Sequence, residues 1–414
     1  MSEGTSTRRD FLLRTCAACG ALLAGGTLLS GRPGWLPLLP DPARAAGDPL
    51  ADLVRAAPRA RYWVSTAGAA GCAACHAPGT LAPGTKPEHR RTLVRCQLCA
   101  RACTLAEGER GMCRARIHVK GELRSLVYGR PMAIQVDPIE KKPFFHFLPG
   151  ATAFSLATSG CPLRCKFCQN WEISQARPED YACSPVPPAS LARAAVERGA
   201  PVIAFTYNEP TVFTEYLADV ARAARPLGRR SVMVSCGYMN EAPLSEMCEV
   251  LEAIKVDLKG FDEGFYRDVC GAELKPVLRS IRQVARSRAH LEIVNLVVPT
   301  LNDSPRMLTE LAKWVVGEVG PDVPVHFTRF HPDYQLPNLP GTPVATLERA
   351  REIGLQQGLH FAYVGNVPGH PGNNTYCPKC GRAVIERDGL FVTGMHLKNG
   401  RCAYCAQPIP GVWS

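Results

Sequence analysis

The chain has 414 residues, 46% hydrophobic and 21% charged, the make-up of an ordinary globular protein with room for one large domain and accessories. Its formal charge of +11 comes from 48 basic and 37 acidic residues, scattered without a long Lys/Arg block, which biases it modestly toward anionic ligands and argues against a nucleic-acid partner. Nineteen cysteines is a high count, and C-x2-C pairs in so long a chain read as metal ligands of a reducing compartment, not as a disulfide scaffold.

In chain order, Thr7-Arg8-Arg9-Asp10-Phe11-Leu12-Leu13 resembles a twin-arginine export signal. An apolar run from Thr15 to Leu29 follows, and Ala43-Arg44-Ala45 offers a small-x-small cleavage site after Ala45. Residues 1–45 are therefore expected to be a signal that sends the protein to the periplasm; left unprocessed, the chain stays in the cytoplasm. The run is too short and Gly-rich for a stable membrane span. Residues 46–150 are expected to form an N-terminal accessory region that opens with a helical linker over 46–60. Within it, Cys72-Ala73-Ala74-Cys75-His76 fits C-x-x-C-H, the covalent haem c pattern, with His76 as iron ligand. A metal-binding or unstructured insertion is the competing reading. Next come Cys96, Cys99, Cys103 and Cys113, four thiols within 18 residues that suit tetrahedral zinc or a second iron–sulfur cluster. Spacing does not choose between the two.

The stretch from Ser159 to Trp171 holds Cys161, Cys165 and Cys168 at C-x3-C-x2-C spacing. A structural zinc ion wants four ligands. Three thiolates on a cube cluster leave one iron open to a small molecule. The alternative is a knuckle whose fourth ligand is distant. This loop resembles the cluster-binding loop of radical S-adenosylmethionine (SAM) enzymes, down to Phe167 before the last cysteine. The resemblance implies a [4Fe–4S] cluster on Cys161, Cys165 and Cys168. It implies SAM on the open iron, Phe167 near the adenine, and a 5′-deoxyadenosyl radical released on reduction. The lead-in is similar to radical SAM proteins of the AmmeMemoRadiSam system, relatives of the pyruvate formate-lyase activating enzyme. It is carried by Leu126-Val127-Tyr128-Gly129-Arg130-Pro131, Asp137-Pro138-Ile139-Glu140-Lys141-Lys142-Pro143 and Gln169 to Gln175. The similarity covers about 61–68 and 93–370.

Apolar β-rich runs then alternate with helical patterns. Strands are expected at 153–158, 202–207, 231–236, 253–258, 291–298, 324–330 and 361–365. Helices are expected at 189–198, 211–225, 242–252, 274–287, 304–318 and 345–357. The alternation argues an α/β fold with a parallel sheet, and the resemblance makes 151–370 a partial (β/α)6 TIM-like barrel of the radical SAM type, flanked by cysteine-rich metal modules. Chemistry in such barrels gathers at the C-terminal strand ends. There stand Asn208 and Glu209, which the resemblance assigns to the SAM amino group. The alternative for Glu209 is an acid at a helix N-terminus. Ser235 is read as reaching the SAM carboxylate or ribose, or as a turn hydroxyl. The resemblance puts Asp257 and Lys259 in the active site, and Arg329 and His331 are weaker candidates for holding an anionic or peptide substrate. Over 371–414, Cys377-x2-Cys380 and Cys402-x2-Cys405 make a zinc-ribbon pattern, usually a structural staple. Eight cysteines lie outside these sets: Cys16, Cys19, Cys72, Cys75, Cys183, Cys236, Cys248 and Cys270.

The expected function is reductive cleavage of SAM for hydrogen abstraction, from a protein glycine in the activating-enzyme relatives. The partners it calls for are an electron donor of the flavodoxin or ferredoxin type and, by resemblance, Memo-like and AMMECR-domain proteins or a protein substrate. An exported iron–sulfur or haem electron carrier without SAM chemistry is the main rival, and a metal-stapled binding protein with an inactive barrel is the second.

Overall fold

A computed structural model describes residues 48–65, 92–181 and 183–414. The export-signal motif and Cys72, Cys75 and His76 lie outside the described residues.

The centre is one eight-stranded sheet. Seven strands run parallel: β7 (Thr152–Ala157), β8 (Val202–Phe205), β9 (Arg230–Ser235), β10 (Ala253–Asp257), β11 (His290–Val297), β12 (Val325–Arg329) and β13 (Ala362–Gly365). They lie in the spatial order 13-12-11-10-9-8-7. All seven were expected, and together they extend the (β/α)6 unit by one strand. Their runs are apolar at consecutive positions because both faces are covered: Val202, Ile203, Ala204 and Phe205 are all buried. The outer layer comprises helices Pro188–Glu197, Thr214–Ala224, Glu241–Val250, Leu274–Ala285, Pro305–Glu318 and Val344–Gln356, each within a few residues of its expected bounds. Ser304 illustrates why these helices begin where they do: its hydroxyl accepts the Met307 N–H at 3.2 Å, ahead of Pro305 in the first turn. No described helix is long and apolar enough to cross a membrane.

Sequence patterning missed the eighth strand, β6 (Ala133–Pro138), which pairs antiparallel with β7 at the sheet edge. It comes from the lead-in, where Gln135 and Asp137 break the apolar run. Before it lie two small antiparallel sheets. One joins β1 (Trp63–Ser65), β2 (Val94–Cys96) and β3 (Thr104–Leu105); the other joins β4 (Arg116–Val119) and β5 (Glu122–Ser125). A buried ion pair, Arg116 with Glu215 of the Thr214–Ala224 helix, seats them on the barrel. At the other end β14 (Thr375–Tyr376), β15 (Ala383–Asp388) and β16 (Phe391–Met395) carry the C-terminal module.

That module is attached through buried polar groups. Arg387 donates to Phe145 O at 2.8 Å and Asn373 O at 3.1 Å and stacks on the Phe145 ring at 4.1 Å. His146 is fully buried. Its Nδ1 lies 2.6 Å from Pro410 O and its Nε2 2.6 Å from Tyr363 Oη. A carbonyl only accepts, so Nδ1 carries the proton and Nε2 accepts from the tyrosine. The ring is thus neutral, and burial lowers its pKa to about 3. Between pH 6.5 and 3 the unfolded chain binds the proton that the folded one refuses, so stability is full above 6.5 and falls with pH at about 1.4 kcal/mol per pH unit from this group. Trp413, 5.3 Å from the imidazole, reports the event. Acid titration should change Trp413 fluorescence as the module loosens in this window, and His146→Phe should flatten the slope.

Candidate active site

Nine side chains picked from the sequence converge on one cavity of about 300 Å³: Cys161, Cys165, Phe167, Cys168, Asn208, Glu209, Ser235, Asp257 and Lys259 all line it. They arrive from the C-terminal ends of β7, β8, β9 and β10, where a parallel sheet leaves its loops free to carry function. Arg329 and His331 do not line this cavity. The Arg329 Nε donates to Thr342 O at 2.9 Å, and His331 is exposed.

The cysteine loop leaves β7 through Gly160, whose φ of +96° suits glycine. A Cβ there would lie 2.3 Å from the Cys113 carbonyl oxygen, so no side chain fits. Asn208 fixes the turn from the next strand, donating to Gly160 O at 2.9 Å and Thr158 Oγ1 at 3.3 Å. Its amide is therefore committed to the loop, which makes it a positioning residue. The Leu163 N–H donates to Cys161 Sγ at 3.4 Å. Phe167 stacks on Phe265 with ring centres 6.2 Å apart.

Glu209 is buried and its carboxylate is held on both oxygens. Oε1 accepts from Thr211 Oγ1 (2.6 Å), Ser235 Oγ (2.7 Å) and Thr211 N (3.1 Å); Oε2 accepts from Cys236 N at 2.6 Å. It caps the 3-10 turn Pro210–Phe213 and also faces the cavity, so the two sequence readings of this acid coexist. Ser235 donates its one hydroxyl proton to Glu209 and accepts from Gly237 N at 3.0 Å. Its role in the structure is to orient that carboxylate.

On β10 the charges alternate and pair along the strand. Asp257 Oδ1 takes Lys255 Nζ, and Oδ2 takes Lys259 Nζ at 3.1 Å. Burial pushes the Asp257 carboxyl up, but the two lysines outweigh it and hold it at about 2. Lys259 goes the other way: burial lowers it, while Asp257 and the thiols of Cys165, Cys236 and Cys270 raise it well above a usual lysine. A fixed cation beside thiolates offsets the negative charge that three of them bring together. Asn302 supports the strand end, donating to Lys259 O at 2.6 Å and Leu296 O at 2.7 Å.

Sequence reasoning missed a second charged group. Asp137 on β6 accepts from Lys141 and Lys142 at 2.7 Å each and from Tyr207 Oη at 2.8 Å. Lys142 is buried, and burial brings its pKa down to about 8 against the pull of Asp137. Tyr207 sits at φ +71°, a strained setting for a side chain with a Cβ. The motif Asp137 to Pro143 was read only as family lead-in, although its charge density ahead of an apolar strand was the available signal. Cys270 was also missed. It is fully buried, with its thiol beside Cys165; first through that contact, the Cys165 thiol is drawn down from its ordinary value.

The cysteine sets differ in spread. Cys377 and Cys405 sulfurs lie 3.6 Å apart, Cys380 and Cys402 sulfurs 3.7 Å apart. Zinc–thiolate bonds of about 2.3 Å in a tetrahedron separate sulfurs by roughly 3.8 Å. The C-terminal set therefore fits one tetrahedrally held metal ion. Among the described residues it is the one group of three or more His, Cys, Asp or Glu whose ligand atoms all lie within 4.8 Å. The Cys161, Cys165 and Cys168 triad is wider than that. A wider triad suits a cube, on which each thiolate takes a different iron. The residues present fit a [4Fe–4S] cluster.

Two substitutions test this geometry. Gly160→Ala should destabilise the protein by about 2–4 kcal/mol, through the positive φ and the Cys113 carbonyl, measured by chemical denaturation. Asp257→Asn leaves Lys255 and Lys259 without their counter-charge and should cost about 3 kcal/mol. The wild type gives up this stabilisation as pH falls from about 4 to about 2, so the difference between the two proteins should shrink over that window.

Comparison with known proteins agrees with the site. Residues 155–314 match the model of the Radical SAM superfamily. The chain is 41% identical over 318 residues to the uncharacterized protein MJ0808 of Methanocaldococcus jannaschii, covering 76% of this chain and 95% of that one. Among solved structures, it is similar to a domain of the pyruvate-formate lyase-activating enzyme from Bacteroides vulgatus (17% identity, TM-score 0.36, 39% of this chain and 98% of that one). It is also similar to SuiB of Streptococcus suis bound to S-adenosylmethionine (12% identity, TM-score 0.42, 55% of this chain and 53% of that one). The superfamily match spans the strands whose ends build the cavity, and the archaeal relative is matched over nearly its whole length: the chain belongs to the radical SAM superfamily.

Proposed function

We propose that this protein cleaves SAM reductively at a [4Fe–4S] cluster held by Cys161, Cys165 and Cys168 and directs the resulting radical at a hydrogen atom of a substrate. The observation that carries this reading is the convergence of the cysteine triad with Glu209, Asp257 and Lys259 on a single cavity. When bound, the cluster supplies the electron that breaks a C–S bond of SAM. The chain's own groups do the rest. Glu209 offers anionic oxygen for an ammonium, and Ser235 and Thr211 keep it aimed. Lys142 and Lys259 offer positive charge for a carboxylate. Phe167 gives an apolar wall for a heteroaromatic ring. The site is closed from below by the packed sheet, which limits water around a reactive species.

The substrate in this proposal is a glycine Cα of a partner protein, as the resemblance to activating enzymes suggests. Memo-like and AMMECR-domain proteins are the partners to try, with a flavodoxin- or ferredoxin-type donor as electron source. The proposal includes export by the twin-arginine route, supported by Arg8-Arg9 and the small-residue site at Ala43 to Ala45.

Anaerobic reconstitution with iron and sulfide, reduction and addition of SAM should yield 5′-deoxyadenosine, detected by mass spectrometry. Cys168→Ala should yield none, and Glu209→Ala should lower SAM affinity by about 10-fold or more, a loss of about 1.4 kcal/mol. A fully loaded wild-type protein that makes no 5′-deoxyadenosine would instead mark an electron carrier.

A further inference from the structure

The four-cysteine set ahead of the barrel is built against the cysteine loop itself. Gly160, the residue before Cys161, packs its α-carbon onto the carbonyl of Cys113 so closely that a Cβ would stand 2.3 Å from that oxygen. Arg164 donates to Met112 O, and Arg101 Nε donates to Pro162 O at 2.9 Å, so each loop grips the other. On the far side, the Cys99 turn sits on the loop that follows β9. Ala100 N donates to Tyr238 O, and the Asn240 side chain donates to Gln97 O and Cys99 O. Backbone alone separates the two sets at Cys113 and Cys161.

The thiols of Cys96, Cys99, Cys103 and Cys113 do not close to the separation that the C-terminal set shows. The same chain supplies the compact standard, a set with sulfurs 3.6 and 3.7 Å apart, sized for one ion. Among the described residues the four-cysteine set stays outside that compact separation, as the triad does. Gly111 adds to this, since a Cβ there would meet Cys103 Sγ and Cys113 Sγ at 3.7 Å each and so point at the space between them. Arg116, 1% exposed, interacts with Cys96 and Cys113, and its Nε–H has no hydrogen-bond partner among the described residues. A buried guanidinium N–H left over beside thiolates calls for an acceptor. Metal-bound thiolates can accept such an N–H, and the sulfides of a cube add further acceptors beyond the four thiolates.

We infer that Cys96, Cys99, Cys103 and Cys113 hold a second, redox-active [4Fe–4S] cluster that relays electrons to the cluster on Cys161, Cys165 and Cys168. One electron leaves a reduced low-potential protein donor, reduces the four-cysteine cluster by one and passes to the three-cysteine cluster; no atom or proton moves. The relay rests on the SAM chemistry proposed above, whereas the identity of the four-cysteine metal does not.

The test uses the full chain, reconstituted anaerobically. In a Cys161→Ala, Cys165→Ala, Cys168→Ala triple variant, about four iron and four sulfide should remain, with an electron paramagnetic resonance signal after dithionite reduction and about one zinc. The wild type should carry twice that iron, and its reduced signal should be broadened by coupling between neighbouring clusters. About two zinc and no iron in the triple variant would overturn the assignment. Should that variant fail to fold, wild-type iron decides: about eight per chain supports it and about four overturns it. For the relay, a Cys96→Ser, Cys99→Ser variant should accept electrons from reduced ferredoxin at least about 10-fold more slowly than wild type, with the dithionite rate unchanged. Equal ferredoxin rates overturn the relay. Absence of 5′-deoxyadenosine with both clusters loaded sinks the SAM reading and leaves the four-cysteine cluster standing.

Discussion

The carboxylate of Glu292 holds three parts of the chain together. It is fully buried on β11, at the end of the sheet opposite the cavity. It accepts the N–H groups of Phe145 (2.9 Å) and His146 (2.8 Å) and faces His326 Nε2 at 2.6 Å and His290 Nε2 at 3.1 Å. Burial would push such a carboxyl up; the two imidazoles outweigh it and keep it well below the usual carboxylate range. A buried charge without those partners costs several kcal/mol. Through this one acid, the lead-in segment is pinned under the barrel, and the lead-in in turn carries His146 and Phe145, on which the C-terminal module rests.

The two ends of the sheet therefore use polar groups for different ends. Below, every partner is internal: Glu292 with two histidines, Arg387 with three oxygens, and His146 between a carbonyl and a phenol. Above, Asp257 is shared by two lysines and Glu209 by two hydroxyls, yet both also face the cavity. Groups in the upper set are held in place without being sealed off, which is the condition for binding a charged cofactor without first reorganising the site.

How far the sequence reached depends on the range of the interaction. The parallel strands were legible because burial on both faces writes continuous apolar runs, as in Val202 to Phe205. The helices were legible from their 3.6-residue period, and the cysteine sets from spacing alone. What could not be read were pairings between distant segments. Asp137 meets Tyr207, Glu215 meets Arg116, and Cys270 meets Cys165 only after the chain has folded, and no local pattern marks them. β6 was missed for a related reason. An edge strand buries less, so its residues need not alternate cleanly, and its place is set by the ladder with β7. His326 lies in the same stretch as the candidates Arg329 and His331, but its imidazole belongs to the Glu292 cluster.

The antiparallel pairing of β6 with β7 also bears on how the protein can be divided. β7 begins the barrel and carries the cysteine loop at its end, and β6 covers the side of it that β8 does not. A chain cut between them would leave a row of bare N–H and C=O groups along an apolar strand, the surface that templates edge-to-edge association between copies. The region matched by the superfamily model starts within β7 itself, at residue 155, and leaves β6 out. In the full chain that edge is covered by β6, from residues that the family model does not include.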